Sequence, residues 1–201
     1  MKTKCEWAKN QFEQYEKYHD TEWGVPVHDD KVHFEFLILE GAQAGLSWAT
    51  ILKRRAGYRK AFANFNVQKV AKFSQEKVNE ILQDPGVIRN KLKINSVINN
   101  AQKFIEIQNE FGSFDQYIWD FVSGSPIVNY WKNIDAIPAT TKESDALSKD
   151  LKKRGFKFCG STIVYAHMQA CGLVNDHTTG CYRFKEIQTI SHPQISEGRH
   201  I

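Results

Sequence analysis

The chain has 201 residues, with 27 Lys+Arg against 23 Asp+Glu, seven His and four Cys. That length gives one domain, or two small lobes around a shared core, able to bury a real interior without staples, and it excludes a miniprotein. Twelve Gly, five Pro and a 41% hydrophobic content exclude collagen, low complexity and wholesale disorder, while a net charge of +4 permits a polyanion partner only if the basic residues cluster. The sequence contains no stretch that could cross a bilayer. The opening residues, Met1 to Trp7, carry no apolar h-region, which predicts a cytosolic, thiol-reducing compartment. Cysteines there serve as core residues or metal ligands instead of disulfides.

In chain order, apolar spacing predicts helices over about 30–43, 47–56, 58–64, 67–73, 75–83, 91–109, 114–123, 144–154 and 161–171. The clearest is 91–109, where Ile94, Val97, Ile98, Ala101, Phe104 and Ile105 share one side. Ser47, Asn66, Ser74, Ser113 and Ser144 stand where N-caps belong. Glycine-bearing breaks separate the helices by short connections, with a longer irregular stretch from Pro126 to Thr141 and no convincing strand pair. The expected architecture is all-α. After Cys181 the periodicity fades, so residues 1–182 read as one domain and 183–201 as a polar, poorly ordered tail.

Three constellations carry chemistry. Cys5 and His19 lie near one end, and His177 and Cys181 form an H-x3-C unit near the other. Two thiolates and two imidazoles suit tetrahedral zinc, although the halves are far apart, and two buried thiols with two core or surface histidines is the competing reading. Second, Lys149, Lys152, Lys153, Arg154 and Lys157 fall within nine positions around a tight connection between Gly155 and Gly160. The helix after Gly160 exposes its first N–H groups, so the segment could grip a phosphate backbone without reading sequence. A solvated, lysine-rich helix end is the alternative. Third, Glu40 sits in a strongly apolar helix, where an ionised carboxylate is costly unless it is paired or awaits a ligand. Tyr15 and Tyr18, three apart on a helical turn, join Trp7, Trp23 and Trp48 as faces on which a base could stack, or as an aromatic core. Base stacking on such a ring contributes about 1–3 kcal/mol.

Tyr18-His19-Asp20-x-Glu22-Trp23-Gly24, Leu39-Glu40-Gly41-x-Gln43-Ala44-Gly45-Leu46-Ser47-Trp48, Leu151 to Phe158, and Cys171 to His177 together resemble the DNA-3-methyladenine glycosylase I (Tag) family over about residues 4–181. The resemblance implies a helix-hairpin-helix glycosylase fold of two helical lobes, with the base pocket between them and Gly155 to Gly160 as the hairpin. It implies a structural zinc held by Cys5, His19, His177 and Cys181. It matches Glu40 to the glutamate that reads the extruded base, Trp48 to the stacking tryptophan, and Tyr15, Tyr18 and Trp7 to the other pocket aromatics. Gln43 to Leu46, with Gly45 and Leu46 foremost, match the loop expected to fill the gap in the DNA, and Lys153, Arg154, Gly155, Lys157 and Gly160 match the DNA-gripping hairpin. The implied enzyme is a monomer of the bacterial cytoplasm that acts on alkylated double-stranded DNA and releases 3-methyladenine.

Two departures from the wider superfamily stand out. A catalytic Asp after the hairpin is missing, with Asp176 as the nearest substitute. Ser161-Thr162 stand where lyase members carry a Schiff-base lysine, which argues for a monofunctional enzyme. A non-enzymatic, zinc-stabilised module that binds alkylated DNA would share these pocket residues, and release of the free base separates the two.

Overall fold

The computed structural model describes residues 2–191. Among the described residues ten α-helices carry the fold: α1 (Glu13–Thr21), α2 (Asp30–Gln43), α3 (Trp48–Ala61), α4 (Val67–Val70), α5 (Gln75–Gln83), α6 (Lys91–Phe111), α7 (Phe114–Asp120), α8 (Lys142–Lys153), α9 (Ser161–Ala170) and α10 (Tyr182–Ser191). The only strand pairing among the described residues is a two-residue parallel ladder, Ile127–Val128 on Val174–Asn175.

The centre of the molecule is α2, buried continuously from His33 to Ala42. A helix apolar on every side must be surrounded by others, and α2 packs against α3, α6, α7 and α9. Around it, α4 and α5 lean on α6, and α8 pairs with α9. Stacked Phe104 and Phe114, with centroids 4.1 Å apart, join α6 to α7.

Local signals set most boundaries. The side chains of Asp29, Ser47, Asn66, Ser74, Asn90 and Ser113 each accept a hydrogen bond from the third backbone N–H beyond them. One cap differs from expectation. Thr141, three residues before Ser144, caps α8, and Ser144 completes a reciprocal capping box from inside the helix.

Two further expectations are corrected. The break between 56 and 58 does not occur, because α3 runs unbroken through Gly57. A Cβ there would lie 2.2 Å from the carbonyl oxygen of Gly86, so the glycine serves a close approach of the 84–88 turn and not a chain reversal. The tail expected from 183 is helical to 191, with Phe184 and Ile187 buried and Arg183 paired to Glu186 at 3.0 Å. Residues 192–201 of that expected tail lie outside the described residues. The N-terminal segment meets the start of α10, since Tyr182 N–H donates to the Thr3 carbonyl at 2.8 Å.

Candidate active site

Two carboxylates five residues apart on α2 have opposite fates. Glu35 accepts from Arg55 Nε at 2.6 Å and from Arg59 at 2.8 and 3.1 Å, so its charge is compensated inside the protein. Glu40, 4% exposed, makes no hydrogen bond or ion pair among the described residues. Burial alone pushes its carboxyl up to about 8.

The Glu40 side chain lines a cavity of about 360 Å³ whose walls come from both ends of the sequence. Trp7 belongs to the short 3-10 turn Glu6–Ala8, Tyr15 and Tyr18 to α1, Gln43 to the end of α2 and Trp48 to the start of α3. Thus all six pocket candidates named from the sequence, Glu40, Trp48, Tyr18, Tyr15, Trp7 and Trp23, line one cavity. Trp48 rests against Tyr18 at 5.2 Å and near-parallel to Phe36 at 6.5 Å between ring centroids. Its indole N–H is buried with no partner among the described residues. The cavity therefore has an apolar, aromatic face and a carboxyl group without a partner among the described residues.

Sequence reasoning missed the far wall, formed by Ile134, Ile137, Pro138 and Ala139 and by Thr162, Tyr165, Ala166 and Gln169 on α9. The irregular 126–141 connection offered no periodicity to read. The α9 residues fall at i, i+3, i+4 and i+7, a stripe indistinguishable in sequence from a core-facing one.

Asp176, the nearest substitute for the absent catalytic Asp, is not among the residues that line the cavity. It is buried, and its two oxygens accept from Asn129 at 2.7 Å, Trp131 at 2.8 Å, Tyr165 at 2.5 Å and Gln169 at 2.8 Å. Four donors occupy the lone-pair directions a carboxylate offers, which leaves none for a water nucleophile. Asp176 instead fixes Tyr165 and Gln169, two residues of the pocket wall.

Cys5, His19, His177 and Cys181 converge in a buried cluster. Cys5 Sγ lies 3.4 Å from His177 Nδ1, and Cys181 Sγ lies 3.4 Å from His19 Nε2 and 3.6 Å from His177 Nδ1. A tetrahedral ion with metal–sulfur bonds of about 2.3 Å and metal–nitrogen bonds of about 2.05 Å has sulfur–nitrogen edges of roughly 3.6 Å. The donor set fits that size. Orientation fits as well: His19 Nδ1 is held by Asp20 at 2.8 Å and His177 Nε2 by the Trp23 carbonyl at 3.0 Å, so each ring turns its other nitrogen inward. Cys181 is drawn well below the thiol range, chiefly by the hydrogen bond from Cys5 and then by His177 and His19. Trp7 and Trp23 stand edge-on to His19 and His177 at 5.1 and 4.6 Å, so this cluster also braces the pocket's aromatic wall.

The hairpin between α8 and α9 presents Lys152, Lys153 and Lys157 to solvent. Gly155 takes φ +94°, and α6 clamps the turn: Asn99 donates to the Gly155 carbonyl, while Asn100 both donates to the Lys157 carbonyl and accepts from its N–H. No side chain caps α9 after Gly160, so its first N–H groups are free. Arg154 departs from the expected phosphate contact. Its guanidinium is engaged by Asp150 at 2.6 Å and Glu110 at 2.6 and 3.2 Å, and it lies over Phe111 and Tyr117. Gly45 and Leu46 stand outside the cavity on the exposed α2–α3 loop, Gly45 at φ +76°. Lys93 braces this loop by donating to the Ala42 and Ala44 carbonyls at 2.8 and 2.6 Å.

Residues 7–184 match the family model described as methyladenine glycosylase. The chain belongs to the methyladenine glycosylase family. It is 49% identical over 178 residues to "DNA-3-methyladenine glycosylase 1" of Escherichia coli (strain K12), covering 89% of this chain and 95% of that protein. A crystal structure of 3-methyladenine DNA glycosylase I (TAG) superposes with a TM-score of 0.87 at 47% identity, over 90% of this chain and 98% of the other. A tyrosine-to-phenylalanine variant of TAG in complex with 3-methyladenine superposes with a TM-score of 0.86 at 33% identity, over 89% and 96%. Membership in the methyladenine glycosylase family accounts for the helical architecture.

Proposed function

We propose that the protein is a monofunctional DNA glycosylase that takes N3-methyladenine out of alkylated duplex DNA and hydrolyses its N-glycosidic bond, leaving an abasic site. The observation that carries this reading is Glu40, a buried carboxyl group without a partner in an aromatic cavity, in a chain 49% identical to a protein named for that activity.

N3-methylation makes the adenine of the nucleoside cationic, so the bond to the sugar is weak before any protein acts. The damaged nucleotide is extruded at a cost of a few kcal/mol, less than for an intact pair. Its purine stacks on Trp48, and its N–H edge meets Glu40, whose ionisation the incoming positive charge favours. Neutral adenine offers no such charge, so it is selected against. When the C1′–N9 bond breaks, the electron pair stays with the base, which departs neutral, and water adds its oxygen to C1′ and loses a proton. Positive charge therefore leaves the purine in the transition state. An attraction confined to the purine acts on capture more than on bond breaking, so Glu40 is a recognition residue first.

Lys153, Lys157 and the free N–H groups following Gly160 hold the phosphate backbone, and Gly45 and Leu46 occupy the space vacated by the flipped nucleotide. Bound at Cys5, His19, His177 and Cys181, zinc would supply a closed structural cross-link with no position left for water. No lysine stands at 161 or 162, so strand cleavage through a Schiff base is not part of the reaction. Incubating the purified protein with methylated duplex DNA and separating the released bases by chromatography tests the proposal. Free 3-methyladenine with intact, alkali-labile strands is the expected product, and binding without release would overturn it.

A further inference from the structure

His33 on α2 and His167 on α9 lie in the seam where these two helices pack, with ring centroids 5.6 Å apart. Cys171 follows His167 by four residues, the same spacing as His177 and Cys181. One ring nitrogen of each histidine and the Cys171 sulfur all lie within 4.8 Å of one another. His33, His167 and Cys171 are 0%, 1% and 0% exposed.

The hydrogen bonding of this trio is incomplete in a specific way. His33 Nε2 faces two acceptors, the Val27 carbonyl at 3.0 Å and Asp115 Oδ1 at 3.4 Å, so it carries the proton and Nδ1 keeps its lone pair. That Nδ1 is buried without a partner among the described residues, and so is His167 Nε2. His167 Nδ1 stands 4.0 Å from Cys171 Sγ, a long and weak contact. Buried polar atoms are nearly always paired. Two imidazole nitrogens without partners among the described residues thus lie in one seam beside a thiol. The way His33 is held, with its outer N–H on a backbone carbonyl and a carboxylate, is the arrangement that orients metal-bound histidines. The Cys5–His19–His177–Cys181 cluster uses the same arrangement.

We propose that His33, His167 and Cys171 form a second metal site, distinct from the four-residue cluster, which takes a thiophilic transition ion of the zinc or cuprous class. Two imidazoles and one thiolate match the donor preference of these ions. As the metal–sulfur bond forms, the Cys171 S–H bond breaks and its proton goes to solvent, with no change of oxidation state. Asp115, beside His33, offsets part of the added positive charge.

The test counts metal on the full chain. Protein purified under reducing conditions is incubated with excess Zn²⁺ in one arm and Cu⁺ in the other, freed of loose ions by gel filtration, and weighed by native mass spectrometry. The wild type should hold one more ion per chain than Cys171→Ala and than the double variant His33→Leu/His167→Leu, in whichever arm matches the resident ion. Should the variants fail to fold, Co²⁺ titration of the wild type replaces them. Two successive increments of thiolate-to-cobalt absorption support the site, and a single increment overturns it. Equal metal content in wild type and folded variants in both arms would also overturn it.

Discussion

Glu40→Gln separates the cost of the pocket from its use. The native carboxyl is raised from 4.5 to about 8 by burial, so between those values the folded protein keeps a proton that the unfolded chain has released. Folding stability therefore falls as pH rises across that window, and below pH 4.5 the penalty is absent. At about 1.4 kcal/mol per pH unit, the charge costs roughly 3 kcal/mol at pH 7 and approaches 5 kcal/mol above pH 8. These are ceilings, because the cavity mouth admits water. Glutamine matches the protonated acid in size and cannot ionise. Urea unfolding of both proteins at pH 5 and pH 8.5 should give midpoints that nearly coincide at the lower pH, while the variant is the more stable at the higher by up to a few kcal/mol. The same variant should lose most of its affinity for the cationic lesion, seen as a larger fall in kcat/KM than in kcat. A stability difference that does not change between the two pH values would show that Glu40 is compensated in the free protein, and the argument for a group awaiting its ligand would collapse.

Trp48→Ala should weaken binding of free 3-methyladenine by about ten-fold to a hundred-fold, the equivalent of 1–3 kcal/mol of stacking, as read by calorimetry. Lys153→Ala and Lys157→Ala should each reduce the slope of log affinity against log salt on duplex DNA by about one. Arg154→Ala should leave that slope unchanged and lower stability instead, because its partners are Glu110 and Asp150; a slope that falls for Arg154 and not for the lysines would reverse the assignment. Chelation of the Cys5–His19–His177–Cys181 site should lower the melting temperature, and an unshifted melt would show that no stabilising ion is held there. Gly57→Ala should destabilise by about 1–3 kcal/mol, checked by thermal unfolding, since its methyl group has no space against Gly86.

What the sequence made legible was local. Helix starts at Ser47, Asn66, Ser74 and Ser113 could be read because a cap and its helix are neighbours in the chain. The pocket aromatics and Glu40 could be nominated because a charge within an apolar run is conspicuous at any distance from its partners. What stayed hidden depended on partners remote in sequence. Gly57 looks like a break until Gly86 is placed beside it, and Arg154 looks like a phosphate ligand until Glu110, 44 residues earlier, arrives. Nothing in the neighbourhood of Asp176 announces that Asn129 and Trp131 will saturate it. Phe184 and Ile187 did offer a signal, a three-residue apolar spacing, but one too short to outweigh the polar residues around it.

Because Cys5 and His19 face His177 and Cys181, segments far apart in the chain complete one another, His19 and Cys181 being 162 residues apart. On a ribosome Cys5 and His19 must wait until His177 and Cys181 emerge. Trp7, two residues from Cys5, waits with it. A chain that stops before His177 thus lacks both the four-residue cluster and the braced form of one pocket wall, and holds Glu40 and Trp48 without that enclosure. Bringing the ends together is also entropically dear in the unfolded chain but grows only logarithmically with loop length. A long closure of this kind therefore restricts the unfolded state only slightly more than a short one would, while it makes synthesis through Cys181 a condition for a finished pocket.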